Sequence, residues 1–328
     1  MCLLTPVSRQ MLDLWERMES GSAMEEKENT RGTSRQSWIR KNWSTVLIVT
    51  SMIIGVGLLA YPSFSDYWNS FHQSRAIMSY AETVSNMSSE DFEREIKAAM
   101  QYNAEIAKEP FKWKMSEEEV EKYSETLNFT GNGNMGYIVI DKIKVSLPIY
   151  HGVEENVLQT SIGHIEGSSL PVGAATYDYD EQRVMDETDG SHCVLSGHRG
   201  LPSARLFTDL DRLVEGDTFS LNVLGNTYTY QVDQIRVVEP SDLTDIQLVP
   251  GMDYCTLVTC TPYGINTHRL LVRGHRVANP QGEVTVTEDA ILIDSIYVAP
   301  FIAAPIILIL FIIVLFETRQ PNKRKQSQ

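Results

Sequence analysis

Thr256-Leu257-Val258-Thr259-Cys260-Thr261-Pro262-Tyr263-Gly264-Ile265-Asn266-Thr267-His268-Arg269-Leu270-Leu271-Val272-Arg273-Gly274-His275-Arg276 is the stretch that decides the fold. Tyr254 to Cys260 is rich in β-formers, Pro262 and Gly264 mark a turn, and His268 to Val277 resumes an extended pattern. Upstream, Gly136 to Asp141 and Ile143 to Ile149 are short β-rich runs. Thr218 to Leu224, the turn Gly225-Asn226 and Thr227 to Val238 predict a hairpin. Tyr228, Tyr230 and Val232 share one face of its second strand, while Ile235 and Val237 have the opposite parity, which predicts a bulge near Asp233-Gln234. Several short strands with irregular linkers favour a closed barrel or a sandwich.

Before the strands, residues 66–128 read as helical. Ser88-Ser89 followed by Glu90-Asp91 is a helix start with acids in the first turn. Phe92, Ile96, Met100, Tyr102 and Ile106 form a rough helical stripe, which Glu109-Pro110 ends. Ser116-Glu117-Glu118-Glu119 predicts a capping box opening a short helix.

The chain has 328 residues, enough for about two domains at ~150 residues each. Its net charge of −15 argues against nucleic-acid binding, which needs an excess of Lys and Arg. An apolar share of 42% argues against disorder of the whole chain, and four cysteines are too few for a disulfide-built scaffold. The charge is unevenly spread: +1 over residues 1–43, +3 over 317–328, and −19 between them. Ser44 to Tyr61 is a run of 18 residues without charge, and Ile296 to Phe316 one of 21. Each approaches the ~20 residues that cross a bilayer. A cleaved signal peptide is the rival for the first, but Leu58-Leu59-Ala60 lacks the small residue that cleavage requires. Arg31, Arg35, Arg40 and Lys41 precede the first run, and Arg319, Lys323, Arg324 and Lys325 follow the second. By the positive-inside rule both termini are cytoplasmic and the acidic middle is outside.

The chemistry sits in Leu195-Ser196-Gly197-His198-Arg199-Gly200, in Thr256 to Pro262 and in His268 to Val272. Each places polar side chains where a strand gives way to a loop, the usual seat of reactive groups. A thiol becomes a nucleophile as thiolate, which a nearby imidazolium stabilises. A guanidinium can donate to the oxyanion of a tetrahedral intermediate. Cys260, His198 and Arg269 supply these parts for acyl transfer, although spacing alone does not bring them together. Taken singly, each is as readily a packed thiol, a satisfied imidazole or a surface ion pair.

Thr256-Leu257-Val258-Thr259-Cys260 with Arg269 nine residues on and His198 62 residues upstream resembles the sortases, cysteine transpeptidases of Gram-positive cell surfaces. Gly197-His198-Arg199-Gly200-Leu201-Pro202, Phe207-Thr208-Asp209-Leu210, the stretch around Tyr67-Trp68-Asn69 and the second apolar run are similar to the pilin-polymerising class C group. The resemblance implies a mostly β chain: a closed eight-stranded sortase-type barrel with N-terminal helices, flanked by two transmembrane helices. The expected layout is a cytoplasmic arm (1–43), a first transmembrane helix (44–61), an extracellular helical region (62–130), the catalytic barrel (131–280), a linker (281–295), a second transmembrane helix (296–316) and a basic cytoplasmic tail (317–328). It further implies Cys260 as nucleophile, His198 as general acid/base and Arg269 as stabiliser of substrate and oxyanion. The implied substrate is an LPXTG-like sorting signal cut between Thr and Gly, and the acceptor is a pilin lysine. The cell membrane is the other expected partner, with no cofactor and no metal.

The group usually carries an Asp-Pro-aromatic lid before the barrel; here Glu109-Pro110-Phe111, with Trp113 nearby, stands in its place. By charge and apolar logic Glu109 would face Arg269 and an aromatic would cover Cys260, and a plain helix terminator is the rival. Cys193 and Cys255 lie five positions before His198 and Cys260 respectively, which suits neighbouring strands; two buried free thiols are expected, and a disulfide, geometrically awkward between adjacent strands, is the alternative. Asp209 and Asp211 read as exposed loop charges, and the remaining histidines have no zinc spacing. A housekeeping-type sortase serving a cell-wall precursor and an inactive pilus-assembly scaffold are the alternative functions.

Overall fold

The computed structural model describes residues 43–108, 115–178, 180–181, 183–186 and 189–279. The lid segment Glu109-Pro110-Phe111 with Trp113, and the second apolar run 296–316, lie outside them. Two compact units are present, and strands and N-terminal helices from Tyr61 onward belong to one of them.

Helix α1 (Trp43–Ser85) contains the first apolar run. It is the one helix among the described residues long and apolar enough to cross a membrane. Helix α2 (Ser89–Ile106) starts as the sequence predicts: the Ser88 hydroxyl accepts from the Asp91 amide. Its stripe of Phe92, Ile96, Met100 and Ile106 packs on the core around buried Ala99 and Tyr102. Helix α3 (Glu117–Glu125) has the predicted capping box, with Ser116 Oγ accepting from the Glu119 amide and the Glu119 carboxylate accepting from the Ser116 amide.

The strands in chain order are β1 (Asn134–Ile140), β2 (Val145–His151), β3 (Ile162–His164), β4 (Tyr177–Asp178), β5 (Arg183–Val184), β6 (Ser191–Ser196), β7 (Thr218–Val223), β8 (Asn226–Val238), β9 (Asp253–Thr261) and β10 (His268–Val277). Eight close into a barrel in the order β1-β2-β3-β6-β9-β10-β8-β7, and β4 and β5 form a separate two-stranded ribbon. Closure removes every barrel edge, so no row of unpaired amides is left to solvent. A four-residue helix, α4 (Glu155–Leu158), joins β2 to β3.

The predicted bulge is real. Arg273 pairs with Gln234 and Gly274 with Val232, so Asp233 is the extra residue. Opposite it, a Cβ on Gly274 would lie 2.9 Å from the Phe219 ring and 3.0 Å from Tyr230 Cβ, which is why the position is glycine. The second strand differs from expectation. Asp141–Ile143 is a 3₁₀ turn, Lys144 is left-handed at φ 53°, and pairing resumes only at Val145. β-branched Ile143 looked like a strand residue because its side chain is buried, but it faces the core from the turn.

Candidate active site

The site grows out of three adjacent strands, β6, β9 and β10. β6 and β9 run parallel with Ser196 opposite Val258. Beyond the last pair, the Gly197 amide donates to Val258 O at 3.0 Å, and the Thr259 hydroxyl donates to Gly197 O at 2.7 Å. Continuing that register brings His198 to the level of Cys260. A Cβ on Gly197 would sit 2.7 Å from the Phe207 ring, so glycine lets the strand end pass beneath it. On the other side, antiparallel β10 places Arg269 directly opposite Cys260. All three side chains are half-buried. The structure therefore brings the three predicted residues to one end of the barrel, at one level across adjacent chain segments.

The Arg269 guanidinium donates to the carbonyls of His268 and Asn266, at 3.2 and 3.4 Å. Among the described residues no carboxylate is paired with it, and an oxyanion would outcompete these two carbonyls. His198 Nε2 is shielded from solvent, has no hydrogen-bond partner among the described residues, and lies 3.6 Å from a carboxylate oxygen of Glu155 at the start of α4. Glu155 is 71% exposed, which makes that pair weak.

Sequence reasoning missed what holds the loop after His198. Arg199, only 10% exposed, is clamped by the Asp211 carboxylate and the Thr261 hydroxyl. Thr261 follows Cys260, so this side chain ties the two loops flanking the site together. Asp209, read from the sequence as an exposed charge, pairs with Arg205 and Arg212, and its side chain is largely covered. The Gly200 amide donates to Thr208 Oγ1, and Gly200 at φ +78° leaves room for the Tyr263 ring, which a Cβ would meet at 2.7 Å. Helix α1 braces the same loop: Asp66 accepts from the Arg205 amide at 2.9 Å and Asn69 donates to Ser203 O at 2.8 Å. The signal was the polar residues spaced three and four apart in an otherwise aromatic helix.

Other candidates resolve into structure. Cys193 and Cys255 are register partners on β6 and β9, fully buried as free thiols, and burial holds the Cys255 thiol well above its usual range. His164 contacts Tyr123 Oη and Ser169 O, and His192 lies between Gln247 O and the Thr256 hydroxyl. Among the described residues no group of three or more His, Cys, Asp or Glu is placed to hold a metal ion.

The sortase domain family model matches residues 138–277, which run from within β1 to the end of β10. The fold is similar to the crystal structure of sortase C1 from Streptococcus agalactiae, at 54% identity and a TM-score of 0.57, over 62% of this chain and 99% of that one. It is also similar to a lid mutant of sortase A from Corynebacterium diphtheriae, at 36% identity and a TM-score of 0.52, over 60% of this chain and 98% of that one. Among curated proteins it resembles Sortase A of Streptococcus agalactiae serotype III (strain NEM316), 27% identical over 158 residues, 48% of this chain. The alignment spans 58% of that relative's length.

Proposed function

Because this chain belongs to the sortase family of cysteine transpeptidases, we propose that it cleaves an LPXTG-like sorting signal and joins the product to a pilin lysine. The observation that carries the reading is that Cys260 on β9 and Arg269 on β10 are register partners, while the β6–β9 register, continued past Ser196, brings His198 to the level of Cys260.

In this reading the Cys260 thiolate attacks the carbonyl carbon of the motif's Thr. Arg269 swings from the turn carbonyls to the developing oxyanion. The carbon–nitrogen bond to Gly then breaks, and His198 gives its proton to the departing amine. A thioester on Cys260 remains. The acceptor lysine amine attacks it, a proton passes to His198, and the isopeptide forms as the thiolate leaves. The similarity to sortase C1 supports a pilin acceptor.

The chain would work at the outer membrane face, anchored by α1 and by the apolar run 296–316, with both termini cytoplasmic. Glu109-Pro110-Phe111 and Trp113 would form a lid over Cys260. Phe111→Ala and Trp113→Ala are then expected to speed thiol labelling of Cys260; unchanged rates would remove the lid. The transfer itself is tested by giving the full chain a sorting-motif peptide and a lysine-bearing pilin. A Cys260-linked acyl-enzyme consumed by the pilin lysine is expected. Transfer to a cell-wall amine mimic instead would favour a housekeeping role, and peptide binding without acylation would favour a scaffold.

A further inference from the structure

Helix α1 has two unlike faces where it meets the barrel. At about 100° per residue, Asp66, Asn69, Gln73 and Tyr80 fall on one side. All four bond the barrel: Asp66 to the Arg205 amide, Asn69 to Ser203 O, Gln73 to Thr160 O, and Tyr80 to Met135 O and the Leu224 amide. The opposite side carries Tyr61, Phe64, Trp68 and Phe71, which are 57%, 66%, 56% and 55% exposed. The ring contacts of Phe64, Trp68 and Phe71 run along the helix itself, Phe64 on Trp68 and both Trp68 and Phe71 on His72. Three large aromatics bared on successive turns are not the surface of a domain facing water.

We propose that this face is a lipid-binding surface, with Phe64 and Trp68 in the outer headgroup layer and Phe71 one turn further on at its aqueous edge. The proposal rests on the reading of residues 44–61 as a membrane anchor and goes beyond it, because it concerns a face of the exported domain. Three observations select lipid over a protein partner. The apolar run ends at Tyr61, and a hydrocarbon span of ~20 residues counted from Ser44 ends at Ser63, so the ~5–8 Å headgroup layer takes the next three to five residues. The face is built of Trp, Tyr and Phe, side chains whose amphipathic or flat rings collect at that level. Between Trp43 and Arg75 the one charged residue is Asp66, and it is turned to the barrel. The bare face is thus free of formal charge, as a surface entering a lipid interface should be.

The opposite side of the same turns holds the Ser203–Arg205 loop, which leads back to His198. A lipid-seated α1 therefore holds the loop that leads back to the candidate acid/base about one helix diameter from the lipid-facing side, at the depth of the same turns. A substrate tethered in that membrane would meet it without leaving the bilayer plane.

The test uses the full chain with Trp15, Trp38, Trp43 and Trp113 replaced by Phe, so that Trp68 reports alone. It is placed in phosphatidylglycerol–phosphatidylcholine vesicles whose phosphatidylcholine is brominated near the headgroup end of its acyl chains. Lipid bromines are expected to quench Trp68, and aqueous iodide to quench it at least about threefold less than free indole in solution. Full iodide quenching with no bromine effect would overturn the proposal. So would quenching by neither, which would mean that a second copy or residues 280–295 cover the face. Alkaline extraction of the same vesicles separates the two readings: extracted chain removes the anchor and the interface with it, whereas retained chain with iodide-accessible Trp68 removes the interface alone.

Discussion

Arg269 gains its place from a backbone ladder and its freedom from weak partners. The carbonyls of His268 and Asn266 hold it at 3.2 and 3.4 Å, bonds that a charged acceptor would displace. Arg269→Lys keeps the charge and loses the planar fork. The expected result is a fall of about 10- to 100-fold in the acylation rate with an unchanged melting temperature. Single-turnover acylation and a thermal melt check it, and a wild-type rate would mean that the guanidinium does not reach the oxyanion. Arg199 is the contrasting case, an almost covered cation clamped by Asp211 and Thr261. Arg199→Ala should loosen the loops on both sides of Cys260. It is expected to cost about 1 kcal/mol of stability and also to lower turnover, because the tie between the two loops is lost while Asp211, 48% exposed, returns to water. Cys260, His198 and Arg269 were singled out by the motifs around them, because by residue type alone each is as readily structural. The sequence hid Arg199 because a clamp is defined only by what it touches.

Elements were legible where periodicity or a cap carried the signal. The parity switch in β8 located the bulge at Asp233, and Ser88 and Ser116 located two helix starts. The break came where burial and conformation part company: Ile143 is buried from a 3₁₀ turn, and Lys144 adopts φ 53°. No composition rule marks a lysine for that region. Ser116→Ala removes one half of the capping box and is expected to cost about 1 kcal/mol, read as a shift in denaturant midpoint with an unchanged slope. Gly274→Ala is a harsher test. The added methyl would have to push aside both the Phe219 ring and the Tyr230 backbone-proximal Cβ. A loss of about 1–3 kcal/mol is expected, and a neutral result would mean that the bulge flexes instead.

At the scale of the molecule, buried polar groups set the response to acid. His192 donates from Nδ1 to Gln247 O at 2.8 Å, and its Nε2 accepts from the Thr256 hydroxyl at 2.7 Å. The neutral ring satisfies both, and burial holds its pKa down at about 4 against an ordinary 6.5. The unfolded chain takes up a proton on this ring below pH 6.5, which the folded chain refuses until about pH 4. Stability is therefore full above pH 6.5 and is lost as the pH falls toward 4, by up to about 3 kcal/mol from this ring. His151, also lowered by burial, acts with the same sign. His192→Gln is expected to be less stable at neutral pH and to have a flatter stability profile between 6.5 and 4; a profile as steep as wild type would assign the acid response elsewhere. The closed barrel was one of two architectures the strands allowed, because closure depends on the non-local β1–β7 and β6–β9 pairings that no local pattern encodes.

Those pairings also set an order of assembly. Cys260 and Arg269 meet across a short hairpin, whereas His198 reaches them only when β6 and β9 pair across some sixty intervening residues, at Ser196 and Val258. Local contacts close first, because long loops lose more entropy on closure. A folding chain therefore has its thiol and guanidinium side by side before its imidazole joins them. Pulse-labelling during refolding should protect β9–β10 amides ahead of those joining β6 to β9, and simultaneous protection would show a single concerted closure. On this timetable the complete trio is the last feature the protein acquires, so a half-folded molecule holds Cys260 and Arg269 without the imidazole.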